Sequence, residues 1–278
     1  MIINEDIIPP NPFRFIRAPF QLALSMITIF VNSVILFLRH KKFKKQMCYF
    51  LMANLSLLSS LSAMALLCGI FTLANDSFHQ ILENIIGAFG DFTHFGVYFT
   101  TNLIAFNRFA VMGQFAVPND VYYLTVALIW VFCAAYFSLI FTPFFGYNFY
   151  LNFGIVAGND ALPVVQTVFD IRLYVDYVSV GLSLLFYFLA LISLIIQKCA
   201  IKTAANSSLS SAELRVFLVT ATTFTIQAVS LLYTHHLAEL FALQTVPNLI
   251  ASMIMELIWN LANPCVYWIL NRSVVTVG

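Results

Sequence analysis

Asp91, His94, Tyr98, Asn102, Ala105 and Arg108 follow one another at steps of three or four residues, the spacing that lines side chains along one face of an α-helix. An acid, an imidazole and a phenol on one stripe can share hydrogen bonds or grip a polar ligand. A guanidinium at the far end can take a carboxylate or a backbone carbonyl. Three more stripes have the same spacing: Asp176, Ser179, Ser183 and Tyr187; Thr220, Thr223, Gln227, Ser230 and Thr234; and Glu256, Asn260, Asn263 and Tyr267. Each lies within an apolar run, where an ionised group costs at least about 2.5–3.5 kcal/mol. The stripes must therefore face inward and converge. Hydrogen bonding between helices, at about 0.6 kcal/mol per contact, accounts for the single Ser and Thr residues. For Asp91, His94 and Glu256, which lie toward the same end of their runs, a shared polar cavity competes with a neutral carboxyl and a satisfied histidine.

The elements that carry these stripes are transmembrane helices. The chain of 278 residues is 61% hydrophobic and 9% charged, with mean hydropathy +0.90, far from the balance of a water-soluble domain. A span needs about 20 apolar residues. Seven runs qualify, approximately Ala18–Leu38, Met47–Leu73, Leu82–Arg108, Val121–Thr142, Leu173–Gln197, Val216–Phe241 and Leu249–Leu270. They are too long and too evenly apolar for the alternating strands of a membrane barrel. The expected fold is an all-α seven-transmembrane bundle forming one domain over residues 1–278. The outer connection Pro143–Arg172 and the inner one Lys198–Arg215 are its longest loops.

Charge sets the expected orientation. With the N-terminus outside, ten of the 13 Lys and Arg residues fall inside, led by the run Arg39-His40-Lys41-Lys42-Phe43-Lys44-Lys45, as the positive-inside bias requires. Arg14, Arg17 and Arg172 remain outside. The first seventeen residues lack the pattern of a cleaved signal peptide, so the first helix is expected to direct insertion. Cys48, Cys68, Cys133, Cys199 and Cys265 have no metal-ligand spacing and read as apolar packing residues; no metal or cofactor is expected. The sequon Asn75-Asp76-Ser77 falls in the first outer loop and is a glycosylation candidate, whereas those at Asn206 and Asn271 fall inside.

Trp259-Asn260-Leu261-Ala262-Asn263-Pro264-Cys265-Val266-Tyr267 contains an Asn-Pro-x-x-Tyr sequence, and Asn107-Arg108-Phe109 keeps the Arg of an Asp/Glu-Arg-Tyr triplet. With these motifs the chain resembles the rhodopsin-like G-protein-coupled receptors. Asn32 is similar to the Asn of that family's first helix and Trp130 to the Trp of its fourth. The resemblance implies that Arg108, Asn263, Pro264 and Tyr267 act in activation and G-protein coupling. Pro264 removes a helix hydrogen bond, which gives that helix end room to rearrange.

Several family features are missing. Ser59 stands where the second helix usually has Asp, so the family's sodium site is in doubt. No Cys pair can join the third helix to the second outer loop, and the Cys-Trp-x-Pro sequence is lacking from the sixth span. A retinal Schiff base is excluded because the seventh span has no lysine. Together with Leu103-Ile104-Ala105-Phe106-Asn107-Arg108-Phe109, these departures resemble the nematode serpentine chemoreceptors of the srx class.

The expected function is thus a chemosensory receptor of the plasma membrane, implied in sensory cilia. A small external ligand would meet Asp91, His94, Tyr98, Asp176, Gln227, Glu256 and Asn260, and the partners would be that ligand, a heterotrimeric G protein and the bilayer, with no nucleic acid. An odorant-gated channel, as in insect olfactory receptors, and a small transporter are the rival readings. No internal repeat of the transporter kind is present, and no enzyme motif positions a nucleophile.

Overall fold

The computed structural model describes residues 14–43, 47–75, 80–139, 142, 144–150, 155–158, 162–201, 211–233, 250–251, 253–259 and 261. In chain order these form α1 (Arg14–Phe43), α2 (Met47–Asn75), α3 (Gln80–Met112), α4 (Asn119–Leu139), β1 (Tyr147–Tyr150), β2 (Ile155–Gly158), α5 (Pro163–Ile201) and α6 (Ser211–Leu232). A further helical stretch covers residues 250–251, 253–259 and 261, within the seventh expected span.

Among the described residues, three helices are long and apolar enough by composition alone to cross a bilayer: Met47–Cys68 of α2, Asn119–Leu139, and Val164–Gln197 of α5. The 33 residues of α3 would extend about 50 Å at 1.5 Å each. That length also spans a membrane, but its apolar surface is interrupted by the polar stripe.

At the centre of the bundle, α3 packs against α2, α4, α5, α6 and both strands. One apolar cluster joins α2, α3 and α4 through Leu51, Leu55, Phe95, Ile104 and Cys133. A second joins α3, α5 and α6 through Ala105, Met112, Tyr187, Phe217 and Phe224. Gly96 permits the close approach of α2 to α3, since a Cβ there would lie 2.7 Å from Leu58 Cδ2. Small residues serve the same purpose wherever membrane helices pack closely. Outward faces are apolar: Leu124, Leu128 and Val131 of α4 and Val178, Leu185 and Phe188 of α5 are all exposed, as lipid contact demands.

The structure corrects three expected boundaries and adds a hairpin to one loop. The fourth helix ends at Leu139 rather than Thr142, whose amide and hydroxyl both donate to the Leu139 carbonyl; Thr142 precedes Pro143, and that position disfavours helix. The fifth helix starts at Pro163, ten residues before the expected Leu173, with Pro in the first turn where its missing N–H costs nothing. The outer connection, expected as a loop, holds an antiparallel hairpin pairing Tyr147 with Gly158 and Tyr150 with Ile155. At the inner side the first helix continues through most of the basic run to Phe43.

Candidate functional site

α3, α4, α5 and the hairpin meet around Asp91. Its carboxylate is buried, 4% exposed, and accepts from the Tyr136 hydroxyl at 3.0 Å, from the Tyr147 hydroxyl and from Arg172 Nη1. Gly87, one turn earlier on α3, leaves room for the Tyr147 ring, because a Cβ there would sit 2.3 Å from Tyr147 Cγ. Asn84 Oδ1, nearly one turn further, accepts the Tyr147 amide at 2.7 Å. Tyr147 is thus held by main chain, ring and hydroxyl together. Burial raises its phenol above the ordinary value, and the Asp91 charge pushes the same way. The neutral phenol is therefore the folded form. Its contribution to stability is complete below the free phenol's pKa of about 10 and is lost as pH rises beyond that toward the higher folded value.

One turn inward, His94 Nε2 lies 2.9 and 3.0 Å from the two oxygens of Asp176, a side chain with no exposure. Whichever tautomer the ring takes, this contact fixes its orientation against α5. Arg172 links the two acids: its Nε is 4.0 Å from Asp176 and its Nη1 bonds Asp91. The chain Asp91–Arg172–Asp176–His94 thus joins two hydrogen-bonded pairs through a looser ion-pair contact. On its other side the His94 ring stacks on Trp259, with centroids 6.0 Å apart and planes at 17°, and meets Tyr98 at 4.7 Å. Tyr98 also contacts Trp259 at 5.8 Å. With side chains 21% and 18% exposed, Arg172 and His94 are the accessible members of the network.

Of the residues read from the sequence as ligand contacts, Asp91, His94, Tyr98 and Asp176 come together here. Gln227 does not join them; its Nε2 donates to Thr101 Oγ1 at 3.0 Å, two turns further inward on α3. Glu256 accepts from Gln21 of α1 at 3.2 and 3.3 Å and so engages a different neighbour from the one expected. Asn260 lies outside the described residues, as do Asn263, Pro264 and Tyr267. Arg172 corrects a sequence expectation: counted as an outer loop cation, it is a partner of two buried acids. Its spacing of four from Asp176 within an apolar segment was the legible signal. Trp259 shares a helix face with Glu256 by its spacing of three, whereas Tyr136 and Tyr147 had no signal of position.

At the inner end of α3, Arg108 is 5% exposed. Its Nη2 donates to Asn107 Oδ1 at 2.7 Å, and its Nε has no hydrogen-bond partner among the described residues. Gln197 of α5 closes this end by donating from Nε2 to the Met112 carbonyl. Elsewhere Trp130 Nε1 donates to Asn54 Oδ1 at 2.8 Å, and Asn54 Nδ2 to Thr100 Oγ1 at 3.0 Å, so one amide joins α2, α3 and α4. Asn32, fully buried on α1, donates from Nδ2 to the Thr28 carbonyl at 3.0 Å. Asn75 is the last residue of α2. Cys48 and Cys133 are buried and form no disulfide.

This geometry can be compared with solved structures. Squid rhodopsin superposes with a TM-score of 0.75 over 96% of this chain and 84% of its own, at 14% sequence identity. The chain has the rhodopsin-like seven-helix fold. At that identity the likeness is one of architecture. No family model matches the sequence, and no curated protein matches it.

Proposed function

We propose that the chain is a chemosensory G-protein-coupled receptor of the plasma membrane, a single domain over residues 1–278 with its N-terminus outside. A small external ligand is sensed at His94, Tyr98 and Trp259, with Asp176 behind them. One observation carries the reading: α3 bears an aromatic and ionic cluster at its middle and the buried guanidinium of Arg108 near its last turn. The fourteen residue steps from His94 to Arg108 extend about 21 Å. A ligand pressing on the His94–Trp259 stack would change how α3 sits against the seventh helical stretch, favouring one of two arrangements of the bundle. An unsatisfied buried donor such as Arg108 Nε is costly, and an acceptor from a G protein entering between the inner helix ends would relieve it. The motif residues Asn263, Pro264 and Tyr267 belong to this coupling end by resemblance. The nematode chemoreceptor assignment rests on sequence resemblance alone.

On this reading Asp91 is a latch for the outer hairpin, since three donors already occupy its oxygens. Gln227 ties α6 to α3 below the ligand. The test is a screen of volatile and water-soluble mixtures on cells expressing the chain, with nucleotide exchange on the G protein and membrane current recorded together. Exchange should disappear in Arg108→Ala and, for a given mixture, require at least tenfold more in His94→Ala at equal surface expression. Current without exchange would replace the receptor reading with a channel.

A further inference from the structure

Three glycines of α3 differ in what surrounds them. A Cβ on Gly87 would strike the Tyr147 ring at 2.3 Å, and one on Gly96 would strike Leu58 at 2.7 Å. A Cβ on Gly90 would meet nothing within 4 Å. Glycine is unfavourable in the middle of a helix, so this one lowers stability without permitting any close contact. Gly90 stands one turn outward from His94 on the same face, and the His94 side chain is 18% exposed. Open space therefore lies above the imidazole. At its floor Tyr98, only 3% exposed, packs on His94 and Trp259, and its hydroxyl makes no hydrogen bond to a described residue.

Charge decides what suits that space. One guanidinium, Arg172, faces two buried carboxylates, Asp91 and Asp176. The excess of acid extends over the outer side. With the N-terminus outside, only Asp120 and Glu213 of the 12 Asp and Glu residues fall inside, whereas Arg14, Arg17 and Arg172 are the only Lys or Arg residues outside. A cleft lined by one sign of charge concentrates ions of the other. The walls favour the same sign, because the faces of Trp and Tyr rings attract a cation. A hard metal ion would need a shell of oxygen ligands, and no group of three or more His, Cys, Asp or Glu side chains among the described residues is placed to hold one. We infer that the ligand of the proposed receptor is a small protonated amine, its apolar end beside Gly90 and its ammonium toward Tyr98 and Trp259, with Asp176 behind them. The inference rests on the receptor reading, which makes this the sensing site. The Tyr98 hydroxyl accepts from the ammonium, and a side chain longer than methyl at position 90 fills the space the ligand needs.

The test measures the melting temperature of the full chain in lipid nanodiscs with primary alkyl and aryl amines of increasing length, each beside its alcohol and its carboxylate, at neutral pH and constant ionic strength. A ligand that binds only the folded chain raises that temperature. At least one amine should raise it by several degrees, with its alcohol and carboxylate giving less than a third of the shift. Gly90→Leu should remove the shift and leave the unliganded melting temperature unchanged or higher. A carboxylate or alcohol that matches its amine, no shift with any amine, a shift that survives Gly90→Leu, or a Gly90→Leu chain that melts lower without ligand would each overturn the inference. The two readings fail separately, since the shift reports binding alone. An amine shift without nucleotide exchange keeps the cation site and removes the receptor, whereas exchange evoked by carboxylates keeps the receptor and removes the amine.

Discussion

Asp91 has two oxygens and three donors, and each donor comes from a different element: Tyr136 from α4, Tyr147 from β1 and Arg172 from α5. Bonds to a charged acceptor are worth about 1.5–3 kcal/mol each, so this side chain closes the outer end of the bundle. Asp91→Asn keeps an acceptor but removes the charge facing Arg172. Losing one partner of a buried pair costs up to about 3–5 kcal/mol. Here Asp176 remains 4.0 Å from Arg172 Nε and offsets part of it. The melting temperature of the purified chain should fall by several degrees. Tyr147→Phe should cost less and act locally, making the hairpin more susceptible to limited proteolysis. Because one change weakens the Tyr147–Asp91 bond and the other removes it, the double variant should lose less than the sum of the two; strict additivity would show that Tyr147 and Asp91 do not act together.

The inner end of α3 shows how an element's terminus can be tested without touching a site. The amide of Phe115 donates to the Ala110 carbonyl at 2.8 Å and that of Gln114 to Val111 at 3.2 Å, the paired bonds of a Schellman motif. The motif needs a left-handed residue after the helix, and Gln114 supplies it with φ 59°. That conformation costs a non-glycine L-residue about 1–2 kcal/mol. Gln114→Gly, at an exposed side chain, should raise stability by up to about 1 kcal/mol, read as a higher melting temperature with ligand response unchanged.

Elements were legible in the sequence to the degree that their signals were local. α2 could be placed from hydropathy alone, since its run is apolar on nearly every face. The early start of α5 was hidden because Asp170 and Arg172 interrupt the apolar pattern; in the structure Arg172 is paired inside. The hairpin was hidden because four-residue strands are defined by a partner strand and by α3, neither of which a local pattern reveals. The cluster around His94 was half legible: helical spacing gave the faces, but only packing decides that Glu256 meets Gln21 while Trp259 meets His94.

At the scale of the whole molecule, the orientation in the bilayer links charge, fold and proposed function. α2 runs 29 residues from Met47 to Asn75, about 43 Å at 1.5 Å per residue, against a hydrocarbon core of about 30 Å. If the basic run preceding Met47 is held at the inner surface, where each Lys or Arg gains about 1 kcal/mol from anionic lipid, the far end of α2 stands clear of the core on the outside. Asn75 is its last residue, and its sequon would then face the glycosylation machinery. The same placement puts the His94 cluster in the outer half of the membrane and Arg108 near the inner surface. An N-terminal epitope should accordingly be stained on intact cells. Treatment with peptide N-glycosidase should shift the chain's mobility in gels, and Asn75→Gln should abolish the shift while Asn206→Gln and Asn271→Gln leave it unchanged. A shift that depends on Asn206 or Asn271 would reverse the orientation, placing Arg108 outside, where no G protein could meet it.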